Sequence, residues 1–184
     1  MSGPAVAAGY WPLGQSDEAL RCVLPGRGAA RWLRTGDLGF LLDGELHVTG
    51  RRKDLIIVRG RKLHPQDIEH TVHALALRPL EGVAAFALER TEGEAVVVLA
   101  ELRQARLAAE PAACEALADR IRGEVYRRHE VAIEALGFVR VGALARTSSG
   151  KLMRFRCRQD FVASRLRLIA RFDNAGGAPA PSSA

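Results

Sequence analysis

A chain of 184 residues, 48% apolar and 26% charged, can bury the core of one ordinary domain together with a fragment of a second, and its composition excludes global disorder. The net charge of +6 is uneven, because residues 120–184 hold 13 Lys and Arg against 5 Asp and Glu; a basic end of this kind attracts phosphates or an acidic protein. Aromatics are only 5% and none is interleaved with the basic residues as a base-stacking platform requires, which argues against a nucleic-acid partner; no stretch approaches 18 uncharged apolar residues, which argues against a membrane span.

The three cysteines, Cys22, Cys114 and Cys157, are widely spaced and form neither a disulfide framework nor a zinc pattern. Met1 to Ala8 lacks a basic region followed by a long apolar run. Together these features are read as a cytoplasmic protein.

Residues 1–35, rich in Gly, Pro and Ala, read as loops and edge strands of a larger body. After the turn Asp43-Gly44, residues 45–49 alternate as a short strand, and the more apolar 54–58 reads as a second. Pro65 suits the first position of a helix, with Ile68, Val72 and Leu75 on one face. Strand patterns at 82–88 and 95–102, separated by Glu92-Gly93-Glu94, predict a hairpin. Pro111 opens a second helix with Leu117, Ile121 and Val125 at spacing four. A strand over 136–141, a polar loop and a third helix over 157–168 follow, and 174–184 reads as an unstructured tail or linker.

Only three of the 27 basic residues are lysines, and each falls in a motif-like string. Lys151 ends Arg146-Thr147-Ser148-Ser149-Gly150-Lys151, where a compact ammonium on a loop of small polar residues could neutralise an oxyanion or phosphate. This is not a phosphate-binding P-loop, because Ala145 and Leu152 stand where that pattern needs Gly and Ser or Thr. The loop reads instead as a mobile arm. Arg34-Thr35-Gly36-Asp37-Leu38-Gly39 places Asp37 in a tight turn, where a carboxylate can grip a vicinal diol or serve only the turn. Arg51 adds a permanent cation that could face phosphate. His70 and His73, three apart, lack a third ligand at fitting spacing, so no metal site is predicted.

Taken in order, RTGDLGF (34–40), TGRRKDLIIVRGRK (49–62), HPQDIE (64–69) and ARTSSGKLMR (145–154) resemble the C-terminal part of the adenylate-forming superfamily of acyl-CoA synthetases, peptide-synthetase adenylation domains and luciferases. The finer strings DLIIVRGRKLHPQDIE and RTSSGKLMRFRCRQDF are similar to fatty acyl-AMP ligases, which activate a fatty acid with ATP and pass it to an acyl carrier protein, and Gly3 to Ala7 with Gly9-Tyr10-Trp11 fits the segment before the TGD turn. The resemblance implies an α+β fold: a small mixed sheet with packed helices, the lid domain, preceded by a β-rich fragment. It implies the end of a large N-terminal adenylation domain over 1–51, the lid over 52–172 and a tail over 173–184. By the same resemblance Asp37 would hold ribose hydroxyls, Arg51 the ribose or phosphate, Lys53 with Asp54 a hinge, and Gly60 the path of the pantetheine arm. Lys151 would act in adenylation. ATP and Mg2+ are the implied cofactors, with Mg2+ bound mainly by the N-terminal domain, and fatty acid and carrier protein are the other partners.

The chain departs from the family pattern at Lys62-Leu63-His64, where Asn, any residue and Tyr are usual. Ala145 stands where Pro is usual, which predicts a less restrained loop. The family's phosphate loop and acyl pocket are not among these residues, so the chain alone is expected to be inactive. The alternatives are the lid of an acyl-CoA synthetase or adenylation domain, and a non-catalytic module docking a carrier protein. For docking, Arg154, Arg156 and Arg158 alternate and would share one side of an extended segment.

Overall fold

The computed structural model describes residues 1–7, 9, 18–20, 22–26, 28, 31–75, 80–91, 93–103 and 110–174. Tyr10 and Trp11, Glu92 and the tail segment from 175 onward lie outside the described residues. Two compact units divide after Lys53.

The first unit is made of short antiparallel pairs. Strands β1 (Cys22–Val23) and β2 (Arg31–Trp32) form one, and β3 (Asp37–Leu42) and β4 (Glu45–Arg51) the other. The turn joining β3 to β4 is Asp43-Gly44, both at positive φ (51° and 83°), which matches the right-handed twist of a two-residue hairpin. The strand around 45–49 is therefore present, but its partner β3 escaped the sequence reading, which placed Asp37 in a turn. Gly36 and Gly39 hid it. A Cβ on Gly39 would run into the His47 carbonyl oxygen across the pair, so glycine there reflects close backbone approach at a register shift.

The second unit begins with strands β5 (Ile56–Val58) and β6 (Arg61–Leu63), continues through helix α1 (Pro65–Ala74), strands β7 (Leu80–Arg90) and β8 (Gly93–Leu102), helix α2 (Pro111–His129) and strand β9 (Ile133–Arg140), and closes with helix α3 (Arg154–Val162) and strand β10 (Leu168–Asp173). The expected hairpin is β7–β8, and both prolines open their helices at the first turn, where the missing N–H costs nothing. The sheet runs β10-β9-β8-β7. Strand β8 is parallel to β9 and the other pairs are antiparallel, so the sheet is mixed and the fold is α+β.

Both faces of this sheet are covered. On β8, Val96, Val98 and Ala100 join one core with Ile68 and Val72 of α1 and Leu117, Ile121 and Val125 of α2. Val97 and Leu99 join a second core with Leu144 and Cys157, against which Leu152 and Phe161 pack. A strand buried on both sides reads as a continuous apolar run, as Ala-Val-Val-Val-Leu-Ala does here. Each fully buried Val or Leu contributes about 1.5–3 kcal/mol relative to exposure.

Two parts of the C-terminal reading are corrected. The third helix does not run over 157–168: it starts three residues earlier and ends at Val162, where Ala163 caps it and Ser164 (φ 52°) turns the chain back. Leu168 belongs to β10, paired to β9. Nor is the segment around Phe155 extended. In a helix Arg154 and Arg158 lie one turn apart, with Arg156 on another side. Arg154 is mostly buried and grips Glu69 of α1 through Nε and Nη2, at 2.7 and 2.6 Å, while the same carboxylate accepts from the Ala85 N–H of β7. The Glu69 hydrogen bonds hold the Arg154 guanidinium even more firmly protonated than usual, against the opposing effect of burial, and Asp54 adds a smaller pull in the same direction. Arg154 is thus a bolt between α3, α1 and β7 and is withdrawn from any docking face. Arg156 pairs on the surface with Asp160, and Arg158 lies 3.5 Å from Glu89.

Breaking a buried pair strands the remaining charge. Arg154→Ala is therefore expected to lower the unfolding free energy by about 3–5 kcal/mol, while Arg156→Ala, at an exposed pair, changes it by less than about 1 kcal/mol. Urea titrations of the two variants check the contrast, and equal midpoints would refute it.

Candidate functional site

In the first unit Asp37 opens β3 directly opposite Arg51 at the end of β4, and their side chains pair at 3.3 Å. Three local features set this up. Gly36 takes φ 76°, its carbonyl accepts from the Arg52 N–H at 2.8 Å, and the Thr35 hydroxyl accepts from the Asp37 N–H at 3.1 Å. The carboxylate and guanidinium remain partly open to solvent, with side-chain exposures of 36% and 59%, so each keeps hydrogen-bonding capacity for a ligand. A cleft of about 380 Å³ runs beside Asp37 between Trp32, Leu33 and Arg34, and another of about 390 Å³ lies against Thr35, Gly36, Arg51 and Lys53. The indole N–H of Trp32 is buried without a partner among the described residues.

Lys53, exposed, and Asp54, half-buried, belong to a 3-10 turn, Arg52–Asp54, that the strand expectation for 54–58 did not foresee; β5 begins only at Ile56. Gly60 sits in the two-residue turn of the β5–β6 hairpin, where Arg59 (φ 49°) and Gly60 (φ 77°) are both left-handed. No atom lies within 4 Å of a Cβ built on Gly60, so the local demand for glycine is its backbone angle and not crowding.

Lys151 lies on a short hairpin, closed by the bridge between Arg146 and Leu152. The Thr147 N–H donates to the Lys151 carbonyl at 2.8 Å, the Gly150 N–H to the Thr147 carbonyl at 2.9 Å, and the Lys151 N–H to the Thr147 hydroxyl at 3.0 Å. Gly150 takes the positive φ (79°) that the turn needs. Ala145, where the sequence predicted slack, is fixed from both sides: its carbonyl accepts from the Met153 N–H at 2.8 Å, and it packs on the core beneath α3. This is a braced hairpin and not a loose arm. Lys151 itself is exposed and has no ion pair among the described residues.

Sequence reasoning missed the groups that brace this hairpin. Glu101, at 1% exposure, accepts at one oxygen from the Gly142 and Leu144 N–H groups (2.9 and 3.1 Å), and its other oxygen lies 3.4 Å from the Arg146 guanidinium. Arg146 in turn donates to the Gly150 carbonyl at 3.3 Å. The available signal was a carboxylate next to the end of the apolar run 95–102. Cys157 is buried, and that burial pushes its thiol pKa up, which disfavours the thiolate. Among the described residues no group of three or more His, Cys, Asp and Glu could hold a metal ion.

The structure thus brings Asp37 and Arg51 together, with Lys53 at the adjoining cleft, and sets Asp54, Gly60 and Lys151 on separate elements of the second unit. No family model matches the chain. Among known proteins, it is 38% identical over 162 residues to the medium-chain-fatty-acid–[acyl-carrier-protein] ligase JamA of Moorena producens, covering 86% of this chain and 27% of that protein. It is 35% identical over 162 residues to the long-chain-fatty-acid–AMP ligase FadD26 of Mycobacterium marinum, covering 84% and 27%. The fatty acid AMP ligase of Legionella pneumophila superposes with a TM-score of 0.56 at 34% identity, over 80% of this chain and 26% of that one. The chain corresponds to the C-terminal part of a fatty-acid AMP/CoA ligase. It spans about a quarter of the length of the relatives it matches. No helix is long and apolar enough to cross a membrane among the described residues of this ligase part.

Because Gly60 is held by its angle alone, Gly60→Ala is expected to cost about 1–2 kcal/mol of stability from left-handed strain. Urea denaturation measures that strain by itself. A neutral result would show that the β5–β6 turn relaxes.

Proposed function

We propose that the complete enzyme to which this chain belongs activates a fatty acid with ATP and transfers the acyl group to the phosphopantetheine thiol of an acyl carrier protein, and that residues 52–172 form its small mobile lid. The observation that carries the reading is Lys151: an exposed, unpaired ammonium held at a defined place by a braced hairpin. The named activities of the JamA and FadD26 relatives support the substrate class.

In the first half-reaction a carboxylate oxygen bonds to the α-phosphorus, the bond from that phosphorus to the bridging oxygen breaks, and pyrophosphate leaves. Negative charge gathers on the non-bridging oxygens. A fixed ammonium beside them stabilises that distribution more than it stabilises the ground state. Asp37 accepts the ribose hydroxyls, and Arg51, paired to it, both orients that carboxylate and faces the ribose or phosphate. ATP is the substrate that supplies the adenylate, and Mg2+ is held mainly by the N-terminal adenylation domain.

In the second half-reaction the thiol loses its proton to solvent, its sulfur bonds to the acyl carbon, the bond from that carbon to the bridging oxygen breaks, and AMP leaves with that oxygen. On this reading Lys151 serves the first half-reaction only and has withdrawn before the thiol attacks. The braced hairpin implies that it leaves with the whole lid, about the Lys53–Asp54 hinge, and not by bending its own loop. Gly60, at an exposed hairpin turn, lines the approach of the pantetheine arm. An acidic carrier protein is steered by the basic end of the chain, with Arg154 excluded from that surface. The reducing cytosol suits the three thiols.

Lys151→Ala in the complete ligase is expected to slow acyl-adenylate formation by about two to three decades and to leave transfer from pre-formed acyl-adenylate within about twofold. Pyrophosphate exchange and single-turnover transfer separate the two. Equal loss in both half-reactions contradicts the assignment, and transfer to free coenzyme A as fast as to carrier protein contradicts the acceptor. The 184-residue chain alone should show no fatty-acid-dependent pyrophosphate exchange; turnover by it would show that the phosphate cradle lies within these residues.

A further inference from the structure

Glu101 is the one carboxylate buried at the end of β8 on the face that carries α3 and the Lys151 hairpin. Val97 and Leu99, at the same alternation, join the core on that face. Its three acceptor contacts all reach into the segment that leads to Lys151: the N–H groups of Gly142 and Leu144 and the Arg146 guanidinium. Arg146 passes the constraint on to the Gly150 carbonyl, on the peptide bond whose nitrogen belongs to Lys151. On the neighbouring strand β7, Gly82 leaves the space the pair occupies: a Cβ there would collide with both Glu101 Oε2 and Arg146 Nη2. A carboxylate at 1% exposure is costly to bury, and a strand of Val and Ala could have been completed with another apolar residue. Sheet packing alone does not require it. What the carboxylate supplies that an apolar side chain cannot is a fixed anchor for backbone N–H groups and for a guanidinium.

We propose that Glu101, acting through Arg146 and given room by Gly82, is a positioning residue for Lys151, setting where the lid presents its ammonium during adenylation. The inference rests on the reading of Lys151 as the adenylation lysine. The physical argument is geometric. A displacement of about 1 Å at a catalytic group can cost up to about a hundredfold in rate, and a long flexible side chain on a hairpin inherits every error of the hairpin's base. Thr147, Ser149 and Gly150 hold the turn internally but do not tie it to the sheet; Glu101 and Arg146 do.

The test uses Glu101→Gln, which keeps an oxygen for the two N–H donors but loses the charge; Arg146→Ala and Arg146→Lys, at the solvent-facing partner; and Gly82→Ala, which removes no polar group but takes the space the ion pair occupies. In the complete ligase the Gln, Arg146→Ala and Gly82→Ala variants are expected to lower kcat for adenylation about tenfold or more with KM for ATP and fatty acid nearly unchanged, to spare transfer from pre-formed acyl-adenylate, and to be partly rescued in Arg146→Lys. In the 184-residue chain, amide exchange at Thr147, Gly150 and Lys151 should rise in the same variants. Arg146→Ala keeps the test open should Glu101→Gln fail to fold, because Glu101 retains its two backbone donors there. Lowered adenylation and transfer together, or faster exchange with unchanged adenylation, would reduce Glu101 to a stability role and overturn the inference. If Lys151→Ala is impaired while these variants are not, the inference fails alone; if Lys151→Ala is itself unimpaired, the functional reading fails and takes the inference with it.

Discussion

Burial of the central strand β8 on both faces is the constraint from which the second unit follows. One face is closed by α1 and α2, the other by α3 and the chain between β9 and α3. A parallel neighbour such as β9 needs a long crossover, and α2 supplies it while roofing the first face. The second face has no long helix. It is closed by a nine-residue helix and a stretch of irregular backbone, whose polar groups must be satisfied locally. That need explains why carboxylates appear where apolar residues would otherwise pack. Glu101 satisfies two backbone N–H groups on this side, and Glu69, reaching from α1, satisfies one on β7 while holding α3 through Arg154.

The proposed chemistry uses this division of labour. The helical face is a hydrophobic roof with no group assigned to the reaction. The irregular face carries the hairpin whose exposed lysine is free to meet a ligand. An irregular segment can present a side chain at an angle that a helix or strand cannot, provided polar anchors replace the regular hydrogen-bond ladder. In the first unit the same logic holds on a smaller scale: a glycine at positive φ, a threonine hydroxyl and one cross-strand ion pair fix Asp37 at the mouth of a cleft.

Elements with strong local signals were legible in the sequence. Pro65 and Pro111 marked helix starts, and the apolar periodicity of Ile68, Val72, Leu117, Ile121 and Val125 marked buried faces that the structure confirms. The short strands β3, β6 and β10 were not legible, because each is bounded or interrupted by Gly or Arg and paired through backbone hydrogen bonds that leave no alternation to read. The third helix was drawn six residues too far because nothing in its composition announces the left-handed Ser164. At the site, the residue types at 37, 51 and 151 were visible as motifs. The braces were not, since Glu69, Glu101 and Arg146 gain meaning only from partners 16 to 85 positions away.

The β3–β4 hairpin exposes Phe40, Leu41, Leu42, Leu46 and Val48, each more than half open to solvent, and both of its outer edges lack a neighbouring strand among the described residues. Bare edges beside apolar side chains are templates for sheet extension between molecules. Purification of this chain is therefore governed by a segment that has no part in its main core: the soluble concentration falls with added salt that strengthens apolar association, and a lysine placed at Leu41 or Leu46 raises it without disturbing the four-stranded sheet.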